Sequence, residues 1–146
     1  NKLGGASLSY TNEEQEFAEE LYQTLVNPDA QIGDQTTIQP MVYVQGKGST
    51  DVGDVSWMVP TTGVRVATWV PGTPAHSWQA VAAGGTTIGL KGTKLASQVL
   101  ARTAIAIYLD PSIAEDAKAE LKNRVGTNLN YFPLLGNRKP PLDYRN

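Results

Sequence analysis

The stretch GTPAHSW, residues 72–78, contains the only histidine of the chain, His76, in a sequence that has no cysteine. Neutral imidazole is a common metal ligand and also a general base near neutral pH. A catalytic zinc site normally takes three protein ligands, so only carboxylates remain here to complete such a site. A histidine beside a turn is also often a hydrogen-bonded structural residue. The pattern alone leaves both interpretations open.

Two aspartates, Asp51 and Asp54, lie three residues apart in the stretch STDVGDVSW. On a helix this spacing places both carboxylates on one face, where they can bind a cation or raise each other's pKa. Aspartate is also a preferred residue in the first turn of a helix, because the helix dipole favours negative charge there. The sequence favours this capping role over a chemical one.

Predicted strands position these residues. The alternation in GVRVATW, residues 63–69, predicts a strand, and a second strand is predicted at 41–44. His76 then follows the carboxyl end of a strand, which is the edge where ligands of α/β proteins usually bind. Pro71 and Pro74 restrict the movement of the loop that holds it.

Apolar residues at helical spacing predict helices at 11–28, 86–109 and 112–126, and capping residues at 49–51 predict a short helix that ends at Pro60. Thr11 with Glu14, and Ser112 with Glu115, predict capping boxes at the helices 11–28 and 112–126. The wide apolar face of the helix at 86–109 predicts deep burial. Together with the strands, these helices indicate an α/β fold.

Composition narrows the classes of function. The chain has 146 residues, 12 basic and 14 acidic side chains and a net charge of -2, so it offers no electropositive surface for nucleic acid. No apolar run approaches the roughly 20 residues of a membrane helix, and no leader is recognisable. We expect one soluble segment, cytoplasmic by default, with a tail at 127–146.

Three stretches taken together, GSTDVGDVSW, GTPAHSWQAVAAGG and GLKGTKLASQVLARTAIAIYLDP, resemble the carboxyl-terminal part of the M20 metallopeptidase and amidohydrolase family. The likeness is greatest to the branch that includes the aminobenzoyl-glutamate hydrolases. It runs from about Thr11 to Val125. The resemblance implies the carboxyl-terminal part of an α/β/α sandwich catalytic domain, with the lid domain absent and the segment at 1–10 linking to it.

The resemblance also implies a site. His76 matches the last metal ligand of the family, while the other ligands and the glutamate that acts as general base belong to a segment upstream of the lid. Two divalent ions, Zn or Mn, would activate a bridging water in the complete enzyme. The candidates for contacts with the substrate or with the metal ligands are Thr50, Asp51, Asp54, Ser77 and Trp78. Trp78 can line an aromatic acyl pocket or be a buried structural indole.

The expected function is therefore the carboxyl-terminal part of a metal-dependent amidohydrolase that cleaves N-acyl or N-aroyl amino acids, or dipeptides. Alone, the chain should be inactive. Its expected partners are the substrate, the missing amino-terminal catalytic segment with the lid, and further copies of itself. The alternatives are a non-catalytic α/β binding or interaction module in which His76 is structural, and a split gene whose upstream product completes the domain.

Overall fold

A computed structural model describes residues 8–43, 45–46, 48, 50–126, 128–133 and 135–143. These residues form five α-helices and one short 3-10 helix. The α-helices are α1 (Asn12–Tyr22), α2 (Val52–Met58), α3 (Trp78–Gly84), α4 (Thr87–Leu109) and α5 (Ser112–Val125), and the 3-10 helix spans Asp34–Thr36. Within the described residues, no helix combines the length and the hydropathy needed to cross a bilayer.

The chain divides into two compact units, each built from two stretches of sequence. The first unit combines Asn1–Val44 with Gly63–Tyr108, and the second combines Gln45–Thr62 with Leu109–Asn146. Most of the predicted linker at 1–10 lies outside the described residues, as do positions 127, 134 and 144–146 of the predicted tail. The candidate residues at 76–78 belong to the first unit, and those at 50–54 belong to the second.

The predicted α/β sandwich is wrong, because the described residues are helical or irregular and contain no strand. The alternating stretch 63–69 is irregular, and its segment at Ala67 packs closely against Gly92 of α4. Residues 41–43 of the other predicted strand are exposed, and position 44 lies outside the described residues. Alternation suits a strand, but a strand also needs the ladder hydrogen bonds of a neighbour. The described part of the chain places no such neighbour beside either segment.

Three helices of the first unit converge on a short apolar core. Its buried members come from α1, from the segment before α3, from α3 itself and from α4: Ala18, Leu21, Val70, Ala83 and Ile88. Val70 is 1% exposed and is the largest fully buried side chain. Because burial of apolar surface is the main force that stabilises a small unit, the segment around Val70 is fixed by this core.

The start of α1 follows the prediction, and its end does not. Thr11 and Glu14 form the predicted capping box, in which the Glu14 amide donates to the Thr11 hydroxyl and the Thr11 amide donates to the Glu14 carboxylate. The helix ends at Tyr22 instead of continuing to Asn27. The Thr24 hydroxyl donates to the Leu21 carbonyl at 2.7 Å, a local bond that competes with continuation of the helix.

The carboxylate of Glu14 has a second role, as the buried member of a partly buried ion pair that joins α1 to α4. It accepts from the Lys91 ammonium and, at 2.6 Å, from the Thr87 hydroxyl. Burial acts to raise the pKa of Glu14, but the hydrogen bonds from Lys91, Thr87 and Thr11 outweigh burial and lower this pKa to about 2. Glu14 is therefore ionised throughout the physiological range.

The long helix α4 was predicted over nearly its whole observed length, but its burial was overestimated. Its buried residues, Ile88, Gly89, Gly92 and Leu95, all lie in its first half. In the second half Leu100 is 58% exposed and Ile105 is 56% exposed. The apolar stripe is real, but within the described part of this chain only its first half is covered.

In the second unit, α5 begins without the predicted capping box. The Asp110 carboxylate accepts both the amide and the hydroxyl of Ser112, at 3.1 and 2.6 Å. Gly126 ends the helix as predicted, with a positive φ of 81° and its amide donating to the Lys122 carbonyl. The capping box predicted at Ser112 does not form, because the Asp110 carboxylate, two residues earlier, accepts the hydrogen bonds of the Ser112 amide and hydroxyl.

The ion pair between Lys91 and Glu14 gives a test of this packing. We expect Lys91→Met to lower the free energy of unfolding by about 1–3 kcal/mol at pH 7, since it leaves a buried carboxylate without its cation. The folded-state pKa of Glu14 lies below its ordinary value of 4.5, so its stabilising contribution is complete above that pH and is lost as the pH falls toward 2. The effect of Lys91→Met should shrink over the same range in urea melts.

Arg124→Met is the matched control, because Arg124 pairs with Glu120 on the surface of α5 with both side chains mostly exposed. This substitution should change stability by less than about 0.5 kcal/mol. Equal effects of the two substitutions would contradict the role given to Glu14.

Candidate functional site

The loop that leads to His76 begins with a tight turn whose first residue is buried in the core. The turn is Val70–Thr73, and the Thr73 amide donates to the Val70 carbonyl at 3.1 Å. Gly72 has a φ of 80°, which a type II turn requires at its third position, and proline is common at the second position. The sequence VPGT is therefore a turn signal in its own right.

The same turn lies very close to the segment that follows α1. A Cβ atom built on Gly72 would come within 2.6 Å of the Cβ of Pro28 and 3.0 Å of the Ala30 carbonyl oxygen. The Tyr22 hydroxyl donates to that carbonyl at 2.9 Å, which fixes the segment from the side of α1. Only glycine fits at position 72, both for its φ and for the space available.

His76 has a backbone conformation that few non-glycine residues adopt. Its φ is 60°, in the left-handed region, and its side chain is exposed. This conformation costs of order 1 kcal/mol for most residues, although histidine and asparagine adopt it more often than others. Such a conformation persists where the surrounding structure imposes it, and residues in it cluster at functional sites.

The residues on both sides of His76 are held by hydrogen bonds. The Ser77 hydroxyl donates to the Pro74 carbonyl at 2.7 Å and accepts from the Ala80 amide at 3.2 Å, as the N-cap of α3. Gln79 is buried, and its amide group donates to the carbonyl and the hydroxyl of Thr24. His76 is thus held between a turn anchored in the core and a helix anchored to the end of α1.

An open cleft of about 530 Å³ lies beside this loop in the first unit. Its lining residues come from the segment before α3 and from the first half of α3: Trp69, Ala75, His76, Ser77, Trp78, Ala80 and Val81. Trp78 is 61% exposed, so in this structure it is not the buried indole that the sequence left open. None of the described lining residues is Lys, Arg, Asp or Glu, so the side chains of this lining are apolar apart from the imidazole, one hydroxyl and two indole N–H groups.

The described residues can supply one ligand of a metal site, but not a complete set of ligands. Across these residues, no group of three or more His, Cys, Asp or Glu side chains lies close enough together to hold a metal ion. His76 has the exposure that a ligand requires, and its imidazole is a donor that zinc and manganese accept. A complete site therefore needs donors from beyond the described residues.

The aspartate pair belongs to the second unit, where one member already has a partner. The Asp54 carboxylate accepts from the Tyr131 hydroxyl at 2.7 Å, and this hydrogen bond is the main reason that the pKa of Tyr131 is raised. Asp51 makes no side-chain cap to α2. Instead, Thr50 accepts from the Val52 amide at 3.3 Å and donates to the Asp51 carboxylate at 3.4 Å.

The structure therefore groups the predicted residues in two sets. His76, Ser77 and Trp78 share the cleft of the first unit, and Thr50, Asp51 and Asp54 lie at the start of α2 in the second. Sequence reasoning missed four lining residues, Trp69, Ala75, Ala80 and Val81. The last two follow from helical spacing, because Ser77 is the N-cap of α3 and Ala80 and Val81 lie three and four residues after it.

Comparison with known proteins gives a relative in the hydrolase class. The chain is similar to the B subunit of p-aminobenzoyl-glutamate hydrolase from Escherichia coli (strain K12), with 36% identity over 92 residues. No family model and no solved structure matches the chain. The resemblance predicted from the sequence is thus confirmed for part of the chain, and it relates that part to a hydrolase.

The alignment covers part of this chain and a smaller part of the relative. The aligned residues cover 63% of this chain and 19% of the relative. The chain thus spans about a fifth of the length of the curated relative that it matches. Activity, substrate and partners of the whole protein are therefore matters for proposal.

The turn at Gly72 gives a test of how the loop is positioned. We expect Gly72→Ala to lower the free energy of unfolding by more than about 1 kcal/mol, because an alanine at φ 80° is strained and its Cβ meets Pro28. Gly85→Ala is the control in the same unit, since Gly85 has a φ of -86° and no described atom lies within 4 Å of an added Cβ. Thermal melts of the two variants should separate, and coincident melts would contradict the close approach.

Proposed function

We propose that this chain is part of a metal-dependent amidohydrolase of the M20 type, which cleaves the amide bond of N-acyl or N-aroyl amino acids or of dipeptides. Aminobenzoyl-glutamate is the substrate that the name of the E. coli relative suggests. The similarity to one subunit of a hydrolase supports the class. The exposed position of His76 beside the cleft supports the proposed metal dependence.

The single observation that carries the proposal is the conformation of His76. Its φ of 60° is imposed between the turn at Val70–Thr73 and the N-cap of α3, and its ring is exposed at a cleft. A structural histidine would be expected to have its ring packed in protein. Instead, the fold holds the backbone firmly and leaves the ring accessible, as a ligand requires.

His76 would hold one of two divalent ions, Zn or Mn, through neutral imidazole. The chemistry that such ions supply is polarisation of the scissile carbonyl and activation of water. The remaining ligands and the general base would come from the rest of the longer polypeptide, so the chain alone should be inactive. Ser77 would position His76 by capping α3, as its hydrogen bonds to Pro74 and Ala80 suggest.

The residues of the second unit have a place in this proposal as groups that contact the substrate or orient the metal ligands. Thr50, Asp51 and Asp54 are proposed to contact the substrate or to orient the metal ligands. Tyr131 is added to this set, because its hydroxyl donates to the Asp54 carboxylate and fixes the orientation of that carboxylate. None of these residues is assigned a metal.

The exposed second half of α4 supports a proposal about assembly. Its apolar side chains, such as Leu100 and Ile105, would be covered by the remaining catalytic segment or by a further copy of the chain. We also propose a cytoplasmic location. We expect neither nucleic acid nor membrane among the partners of this chain, whose net charge of -2 offers no electropositive surface.

Substitution of His76 tests the proposal, and the choice of residue matters. Asparagine adopts the left-handed conformation readily, so His76→Asn should leave the fold unchanged while it removes the imidazole. In the full-length polypeptide we expect at least a roughly 100-fold loss of affinity for Zn or Mn, and a parallel loss of amide hydrolysis. Calorimetric titration of the metal and hydrolysis of aminobenzoyl-glutamate measure the two effects.

The competing hypothesis is a non-catalytic binding or interaction module in which His76 is structural. It predicts unchanged metal affinity in His76→Asn and no hydrolysis by the full-length polypeptide. Hydrolysis by the isolated 146-residue chain would contradict the proposed division of the ligands.

A further inference from the structure

The cleft beside His76 has features that the coordination of a metal does not explain. Two of the three tryptophans of the chain, Trp69 and Trp78, line it, together with Ala80 and Val81. At about 530 Å³ it lies within the range of small-molecule sites. A metal ligand by itself needs only an accessible ring nitrogen, and not two indoles.

The two indoles differ in how they are held. Trp69 packs against the core, and its Nε1 would lie 3.5 Å from a Cβ built on Gly84, at the far end of α3. It is a fixed wall. Trp78, the first residue of α3, is 61% exposed and two residues from His76. Its ring thus offers a large apolar surface on the cleft that His76 also lines.

The lack of charged side chains in the described lining favours one half of the proposed substrate over the other. An N-aroyl amino acid has a planar aromatic ring on one side of the scissile amide and one or more carboxylates on the other. The described lining residues include no Lys or Arg to bind a carboxylate. An aromatic ring, in contrast, gains both apolar burial and stacking against an indole.

We propose that this cleft binds the aromatic ring of an aroyl amide, with Trp78 as the residue on which the ring stacks. The inference rests on the proposed function for the kind of substrate, and it deepens that function by assigning the acyl side. Trp69 and Val81 complete the apolar surface. Trp78 is then a determinant of specificity for aroyl over small aliphatic acyl groups.

The experiment titrates 4-fluorobenzamide into the metal-free full-length polypeptide and follows its fluorine NMR signal. Saturable binding is expected in the wild type. Trp78→Ala should weaken it about tenfold, which corresponds to ~1.4 kcal/mol, while Trp78→Phe should keep it within about threefold. Cyclohexanecarboxamide, which is apolar but not planar, should displace the probe less well than benzamide.

Trp57→Ala is the matched control, because Trp57 is 51% exposed but belongs to the second unit and does not line the cleft. It should leave probe binding unchanged. Equal binding by Trp78→Ala and the wild type, or equal displacement by both amides, would overturn the inference.

The titration contains no metal, so it fails or succeeds separately from the proposed function. If His76→Asn loses metal affinity but the probe does not bind, the ring site alone is wrong. If the probe binds in a Trp78-dependent way but His76→Asn keeps its metal affinity, the metal role of His76 is wrong and the ring site stands.

Discussion

The close contact between the turn at Val70–Thr73 and the segment after α1 is the constraint on which the cleft depends. Val70 is buried where α1, α3 and α4 converge, and Gly72 leaves no room for a side chain against Pro28. With that turn fixed, only a few residues separate it from the N-cap of α3. His76 is therefore positioned by packing on one side and by helix capping on the other.

The ion pair of Glu14 with Lys91 stabilises the same arrangement from a second direction. One carboxylate caps α1 and also accepts from the first turns of α4. Burial alone would favour its neutral form, and several donors reverse that preference, so that its pKa is lowered. A single glutamate thereby joins two of the three helices that surround Val70.

Local signals in the sequence predicted local structure well. The capping box at Thr11, the extent of α4 and the glycine that ends α5 are each decided by residues within one or two turns. The end of α1 and the cap at Ser112 differ from the prediction because of neighbouring side chains, Thr24 and Asp110. The signals for the strands and for the burial of α4 failed because a more distant group decides the outcome. Alternation at 63–69 predicts a strand only if a neighbour pairs with it, and the apolar stripe of α4 predicts burial only if something covers it.

The candidate site was also predicted in part, from local signals and not from distant ones. The sequence identified His76, because a lone histidine in a proline-restricted loop is visible as a pattern, but it did not identify Trp69 as a wall of the cleft, since that depends on how the chain turns back past α3.

We propose that the fold presents His76 as one ligand of a metal site that other parts of a longer polypeptide complete. The most direct measurement is a crystal structure of the full-length polypeptide grown with Zn, with the ion located by anomalous diffraction. We expect an imidazole nitrogen of His76 at about 2.0–2.1 Å from the ion, with His76 still at positive φ. A fully ligated zinc site that leaves His76 uncoordinated would contradict the claim.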